Sequence, residues 1–95
     1  MNYRQARIRA EILRALAHPV RVLIVETLSK GDKCVCELND LADVDQSRIS
    51  RHLAVLKRAG IVSDRRDGMK VFYHLRCPCI LAALKCVVGV VQLDK

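Results

Sequence analysis

Apolar residues recur at helical spacing along most of the chain, and the recurrence breaks where stop signals stand. Over residues 1–16, Ile8, Ile12, Leu13 and Leu16 form one stripe among Arg4, Arg7, Arg9 and Arg14, which predicts an amphipathic first helix. His18-Pro19 ends it, because the residue before a proline avoids the helical region. Pro19 then suits the first turn of a second helix. That helix has Val20, Leu23, Ile24, Thr27 and Leu28 on one face and Gly31 as its closing residue. A third, short helix is expected from Val35 to Ala42, with Val35, Leu38 and Leu41 inward. Asp43-Val44-Asp45 links it to a fourth, a connection of helix-turn-helix length.

The fourth helix carries the sharpest pattern. Asp45 is a natural N-cap, Ile49, Leu53 and Leu56 share one face, and Gly60 stops the helix. Ser47, Ser50, Arg51, Ala54 and Arg58 fall on the other face, with no acid between Gln46 and Ser63. Beyond Gly60 the period changes to two. Residues 61–66 and 69–75 read as strands, with Val71, Tyr73 and Leu75 alternating with Lys70, Phe72 and His74. Asp67-Gly68 is the favoured pair for a two-residue type I′ turn, so a β-hairpin is expected.

A last helix starts near Arg76-Cys77-Pro78. Ile80, Leu81, Leu84, Val87, Val88, Val90 and Val91 cover most of its circumference, so it must be buried on more than one side. Ninety-five residues make one domain, 1–95, too small to surround it. The expectation is a homodimer through Ile8 and Ile12 of the first helix and Ile80, Leu84, Val87, Val88 and Val91 of the last.

Composition sharpens this picture. A hydrophobic content of 52% excludes a disordered chain. The formal charge is +7, and its distribution matters more than its total. Residues 46–70 hold seven Lys or Arg against two Asp, while residues 34–45 hold four acids and no Lys or Arg. A basic segment of this kind points to nucleic acid, and the acidic one beside it to a cation. Small and polar outward residues let a helix approach the floor of the major groove, and Ser and Arg can reach base edges and phosphates. The expected contacts with double-stranded DNA are Gln46, Ser47, Arg48, Ser50, Arg51, His52 and Lys57 on the helix. Arg65, Arg66 and Lys70 crowd the hairpin and would grip the backbone. The overall reading is a mostly α-helical winged helix-turn-helix with a small β-hairpin, residues 34–60 forming the helix-turn-helix and 61–75 the wing.

The longest apolar stretch is interrupted by Lys85 and is too short to span a membrane. Residues 1–16 lack the apolar run of a signal peptide, so a cytoplasmic protein is expected. The five cysteines, an odd number, then read as reduced thiols: Cys34, Cys36, Cys77, Cys79 and Cys86. Cys34 and Cys36 open the third helix, and Cys77 and Cys79 open the last. Helix N-termini favour thiolates, the form that binds soft metals. Two residues on a helix are about 200° apart, so two sulfurs can share one centre only at an irregular first turn. Cys86, among valines, reads as core packing. A thiol enzyme using Cys-Val-Cys or Cys-Pro-Cys is disfavoured by a cationic helix that an oxidoreductase does not need. No catalytic residues are assigned.

Four segments together, 16–21 (LAHPVR), 34–38 (CVCEL), 46–53 (QSRISRHL) and 60–62 (GIV), closely resemble the ArsR/SmtB family of dimeric winged-helix repressors. The likeness spans roughly residues 8–93. It implies four helices, a β-hairpin and a fifth helix, dimerisation through the first and last helices, and release from operator DNA when a metal ion or metalloid binds thiolates. Some members respond instead to thiol oxidation or reactive sulfur. The family's third thiolate of the third helix falls here on Asn39, and its zinc site of the last helix would need ligands where Val90 and Leu93 stand. Its cadmium and lead sites draw on an N-terminal arm that is thiol-free here. No resident cofactor is implied. The inducer expected from the resemblance is trivalent arsenic or antimony on Cys34 and Cys36, with a third thiol from elsewhere. The alternatives are cadmium, lead or zinc, with Cys77 and Cys79 as further ligands, and a repressor of the same fold that senses thiol oxidation or reactive sulfur.

Overall fold

Leu53, at the middle of the predicted recognition helix, is fully buried and belongs to the hydrophobic core. A computed structural model describes residues 1–41 and 44–93, without the side chain of Leu93. The elements are α1 (Tyr3–Leu16), α2 (Pro19–Ser29), β1 (Lys33–Cys34), α3 (Val35–Leu38), α4 (Gln46–Arg58), β2 (Val62–Asp67), β3 (Lys70–Leu75) and α5 (Cys79–Leu93). Ile24 and Val25 of α2, Leu38 of α3 and Ile49, Leu53 and Leu56 of α4 meet Ile61, Val62 and Leu75 at the base of the sheet. The expected inward face of α4 is therefore the buried one; on α2, Val20, Ile24 and Leu28 are buried as expected, but Leu23 is exposed and Val25 is buried in its place.

The helix ends follow local chemistry. Asn2 and Gln5 form a reciprocal capping box at the start of α1. His18 caps α2 through its ring, Nδ1 accepting from the Val20 amide at 3.1 Å, with Pro19 in the first turn. At the end of α4, Gly60 takes φ 83°, the Gly60 amide donates to the Lys57 carbonyl, and the Ile61 amide donates to the Leu56 carbonyl. This is the paired arrangement that closes a helix through a left-handed glycine.

The third helix departs from expectation. It ends at Leu38 and continues as turns through Leu41, and the predicted end at Ala42 lies outside the described residues. The sheet also has a strand that the sequence pattern did not predict. β1 is two residues long and pairs antiparallel with β3, Lys33 opposite Tyr73 and Cys34 opposite Phe72, giving the order β1-β3-β2. The hairpin turn is shifted by one residue. Asp67 pairs with Lys70, so the two central residues are Gly68 and Met69. Gly68 has φ 64° at the first central position, the left-handed conformation that both primed hairpin turns require there and that glycine adopts freely.

The ends of the chain stand off this core. Every residue of 1–11 is exposed. Ile80 and Leu81 of α5 pack against the core, but Val87, Val88, Val90 and Val91 lie open, Val87 at 57% exposure. The radius of gyration is 14.4 Å, against about 12 Å for a compact domain of this length. Of the residues expected at a dimer interface, Ile8, Val87, Val88 and Val91 are uncovered within the protomer, while Ile12, Ile80 and Leu84 are half-buried. Cys86, expected in the core, is exposed on this same helix. Among the described residues no helix is long and apolar enough to cross a membrane.

Candidate nucleic-acid interface and thiol pair

Helix α4 presents three surfaces. Its outward face carries Ser47, Arg51, Ala54 and Arg58, all exposed and opposite the buried Ile49, Leu53 and Leu56. The Asp45 carboxylate caps the helix, accepting from the Arg48 amide at 2.9 Å and from the Ser47 hydroxyl at 2.6 Å. These hydrogen bonds, the Ser47 one foremost, hold its pKa below the usual aspartate value. Ser47 therefore spends its proton on the cap and keeps acceptor capacity for a base edge.

One flank of α4 faces the wing. Gln46 and Ser50 share a cleft of about 250 Å³ with Cys34, Val35 and Cys36 on one side and Met69, Lys70 and Val71 on the other. The other flank faces α2. His52, predicted to touch DNA, is half-buried and turned toward α2. Its Nδ1 accepts from Arg21 Nε at 3.1 Å, and its ring lies 4.3 Å from that of His18, centroid to centroid. Burial, then the neighbouring His18 and Arg21, pushes its pKa down. Arg21 also donates to the Ala15 carbonyl at the end of α1. The His-Pro-Val-Arg run thus ties α1, α2 and α4 together.

The wing cations are not equally free. Arg66 and Lys70 are exposed and form no ion pair among the described residues. Arg65 Nη1 lies 2.6 Å from Asp32 Oδ2, and its guanidinium sits 5.0 Å from the Phe72 ring centre. Lys57 pairs with Asp64 at 3.1 Å, and Arg48 approaches Asp45 at 3.8 Å. Pairs at the surface are held weakly against solvent, so a phosphate can displace them. Asp32 was not legible as a partner from local pattern, because it lies 33 residues from Arg65.

The cysteines divide. Cys34 is the N-cap residue of α3, extended at φ −80° and ψ 162°, and only 2% exposed. Cys36 is the second residue of the helix and exposed. Because the chain passes from strand to helix between them, the helical offset that would separate the sulfurs does not apply. Their Cα atoms are 5.3 Å apart and the sulfurs are bonded. This corrects the expectation of five reduced thiols; Cys77, Cys79 and Cys86 are free. Helix α5 begins at Cys79, so Cys77 lies outside it. Cys77 is half-buried with its sulfur 3.8 Å from the Ile61 carbonyl, and burial pushes its thiol pKa up. The helix-terminus argument for a Cys77 thiolate therefore fails. Asn39, where the resemblance puts a third thiolate, has a buried Oδ1 with no hydrogen-bond partner among the described residues. Among the described residues no three His, Cys, Asp or Glu side chains converge on a metal position.

A three-helix core, a helix-turn-helix with an exposed cationic face and a β-hairpin beside it define a winged helix-turn-helix protein. The family model for bacterial regulatory proteins of the arsR family matches residues 18–64. The transcriptional repressor SmtB of Mycobacterium tuberculosis is 49% identical over 65 residues, 68% of this chain and 48% of that protein, so the match spans about half of the relative's length. The crystal structure of Rv0081 from the same species superposes with a TM-score of 0.86 at 36% identity, covering 98% of this chain and 97% of that one. The solution structure of the homodimeric winged helix-turn-helix DNA-binding domain Mb0332 from Mycobacterium bovis gives 0.79 at 27% identity, covering 99% and 92%. The chain belongs to the ArsR family.

Proposed function

We propose that the chain is a homodimeric, cytoplasmic transcriptional repressor whose operator affinity is set by the Cys34–Cys36 pair. The supporting observation is placement. Two sulfurs meet at the strand-to-helix junction, in the same cleft as Gln46 and Ser50 of α4 and Lys70 of the wing. Chemistry that moves this junction acts on both candidate DNA-contacting elements. The uncovered valines of α5 supply the dimer surface.

The bonded sulfurs favour oxidation as the signal. Exposed Cys36 meets a hydroperoxide first, becoming a sulfenic acid and releasing an alcohol or water. Cys34 then attacks that sulfur and expels water, which leaves the disulfide. Trivalent arsenic or antimony is the second reading, favoured by two sulfurs that reach a common point. Three thiols displace three waters from arsenous acid, and here one thiol must come from a small molecule. Cadmium, lead and zinc lack a third protein donor at this pair among the described residues.

Mass spectrometry of the reduced protein separates the two. Peroxide removes two hydrogens per chain with both cysteines lost to alkylation, whereas arsenite with a small thiol adds arsenic. Neither change should occur in the Cys34→Ser, Cys36→Ser double variant. Unchanged operator binding after either modification would refute the assignment of the pair as sensor.

A further inference from the structure

A cleft of about 440 Å³ opens between the start of α2 and the flank of α4 remote from the wing. Its ionisable lining among the described residues is Arg21, Arg48 and Arg51 with His18 and His52, with no carboxylate among those residues. The acid paired with one of these arginines is Asp45, 3.8 Å from Arg48 in an exposed contact.

The two imidazoles have defined roles. His18 Nδ1 accepts from the Val20 amide, and His52 Nδ1 accepts from Arg21 Nε. A ring nitrogen that accepts carries no proton, so each neutral ring bears its hydrogen on Nε2. The nitrogen left for any further partner is thus a donor in both rings. Arg21 commits Nε to His52 and Nη1 to α1 carbonyl oxygens, which leaves Nη2. Protonating His52 is opposed by burial and by His18 and Arg21 beside it. Three guanidinium groups and two imidazole donors converging on one cleft are the complement of an oxyanion.

We propose that this cleft is a phosphate-binding seat, and that the phosphate is one of the DNA backbone beside the groove read by α4. The choice of source rests on the DNA-binding reading above and on Arg51, which belongs both to the cleft and to the outward face. A phosphate held there would fix α4 against the backbone through α2, at the end opposite the wing. Inorganic phosphate offers the same chemistry and is the competing source.

The test follows the side-chain N–H resonances of His18, His52 and His74 in the intact protein. One arm adds inorganic phosphate at constant ionic strength, the other a DNA duplex. A saturable shift of His18 and His52 but not His74 on adding duplex alone assigns the seat to backbone phosphate, and a shift in both arms adds free phosphate as a ligand. A shift with phosphate alone keeps the seat and overturns the DNA source. His18→Asn keeps a capping acceptor for Val20 but loses the Nε2 donor. Arg48→Gln alters only an exposed side chain, so it reports even if His18→Asn unfolds. Each should weaken the responding ligand about tenfold, the loss of one charge-assisted hydrogen bond. No shift in either arm overturns the proposal. Duplex binding measured by anisotropy in the same samples reports separately on the DNA-binding reading.

Discussion

Asp32 holds Arg65 across 33 residues of sequence, Oδ2 to Nη1 at 2.6 Å, while its other oxygen meets His74 Nδ1 at 2.8 Å. One carboxylate thus clasps both strands of the wing from the loop that leads into Cys34. Because β1 pairs with β3 directly after this loop, the thiol junction and the wing form one mechanical unit. Asp32→Asn should free Arg65 for backbone phosphate. Operator affinity should rise, and the slope of log affinity against log salt should steepen by about one phosphate contact, roughly 0.9. Asp40→Asn removes an exposed charge of the same sign without a clasp. Equal effects in the two variants would show that Arg65 is not restrained.

The same clasp gives an acid limit. His74, then Arg65, lowers the Asp32 pKa from 3.8. A depressed carboxylate stabilises the fold above its unfolded value, and that stability is lost as pH falls through the lower folded value. His52 acts nearer neutrality. Its folded pKa lies below 6.5, so as pH drops past 6.5 the unfolded chain takes up the proton first and stability declines toward the lower folded value. Melting temperature should fall with acidification in this window, and His52→Gln should flatten that part of the curve. Parallel pH profiles for the two proteins would contradict the account of His52.

Gly60 is a test of backbone geometry alone. A Cβ there would have ordinary space, 3.6 Å from the Arg76 guanidinium, but φ is 83°. Gly60→Ala should therefore cost about 1–2 kcal/mol, the penalty of a left-handed non-glycine residue, read from urea unfolding. An unchanged midpoint would mean that the helix can end another way.

Helix α4 was legible because three independent signals agreed: a capping Asp45, a stop at Gly60 and the buried Ile49, Leu53 and Leu56. The hairpin was legible as a hairpin but not in register, since Gly68 can serve either central position of a turn and only pairing decides. β1 could not be read, because two residues carry no period. The Arg21–His52 and Asp32–Arg65 contacts are set by tertiary packing across 31 and 33 residues, which local spacing does not encode. The cysteine pair was legible as a pair; its convergence depended on where strand gives way to helix.

Substituting Val87 by Glu should break the dimer. Its side chain is 57% exposed in the protomer, within an uncovered run of valines, and a charge there would be buried unpaired at the interface. Sedimentation velocity should show a folded monomer at micromolar concentration. A dimer of undiminished stability would place the interface elsewhere.

The central claim is that the Cys34–Cys36 pair controls DNA binding, and operator affinity by fluorescence anisotropy tests it most directly. Reduced and peroxide-oxidised protein, each also carrying Cys34→Ser with Cys36→Ser, are titrated against the same duplex at fixed salt. The account predicts that oxidation weakens the native sequence about 5- to 150-fold, the span of a typical coupling between sites, and leaves the double variant unchanged. Equal affinities for the reduced and oxidised native protein, or an undiminished response in the double variant, would contradict it.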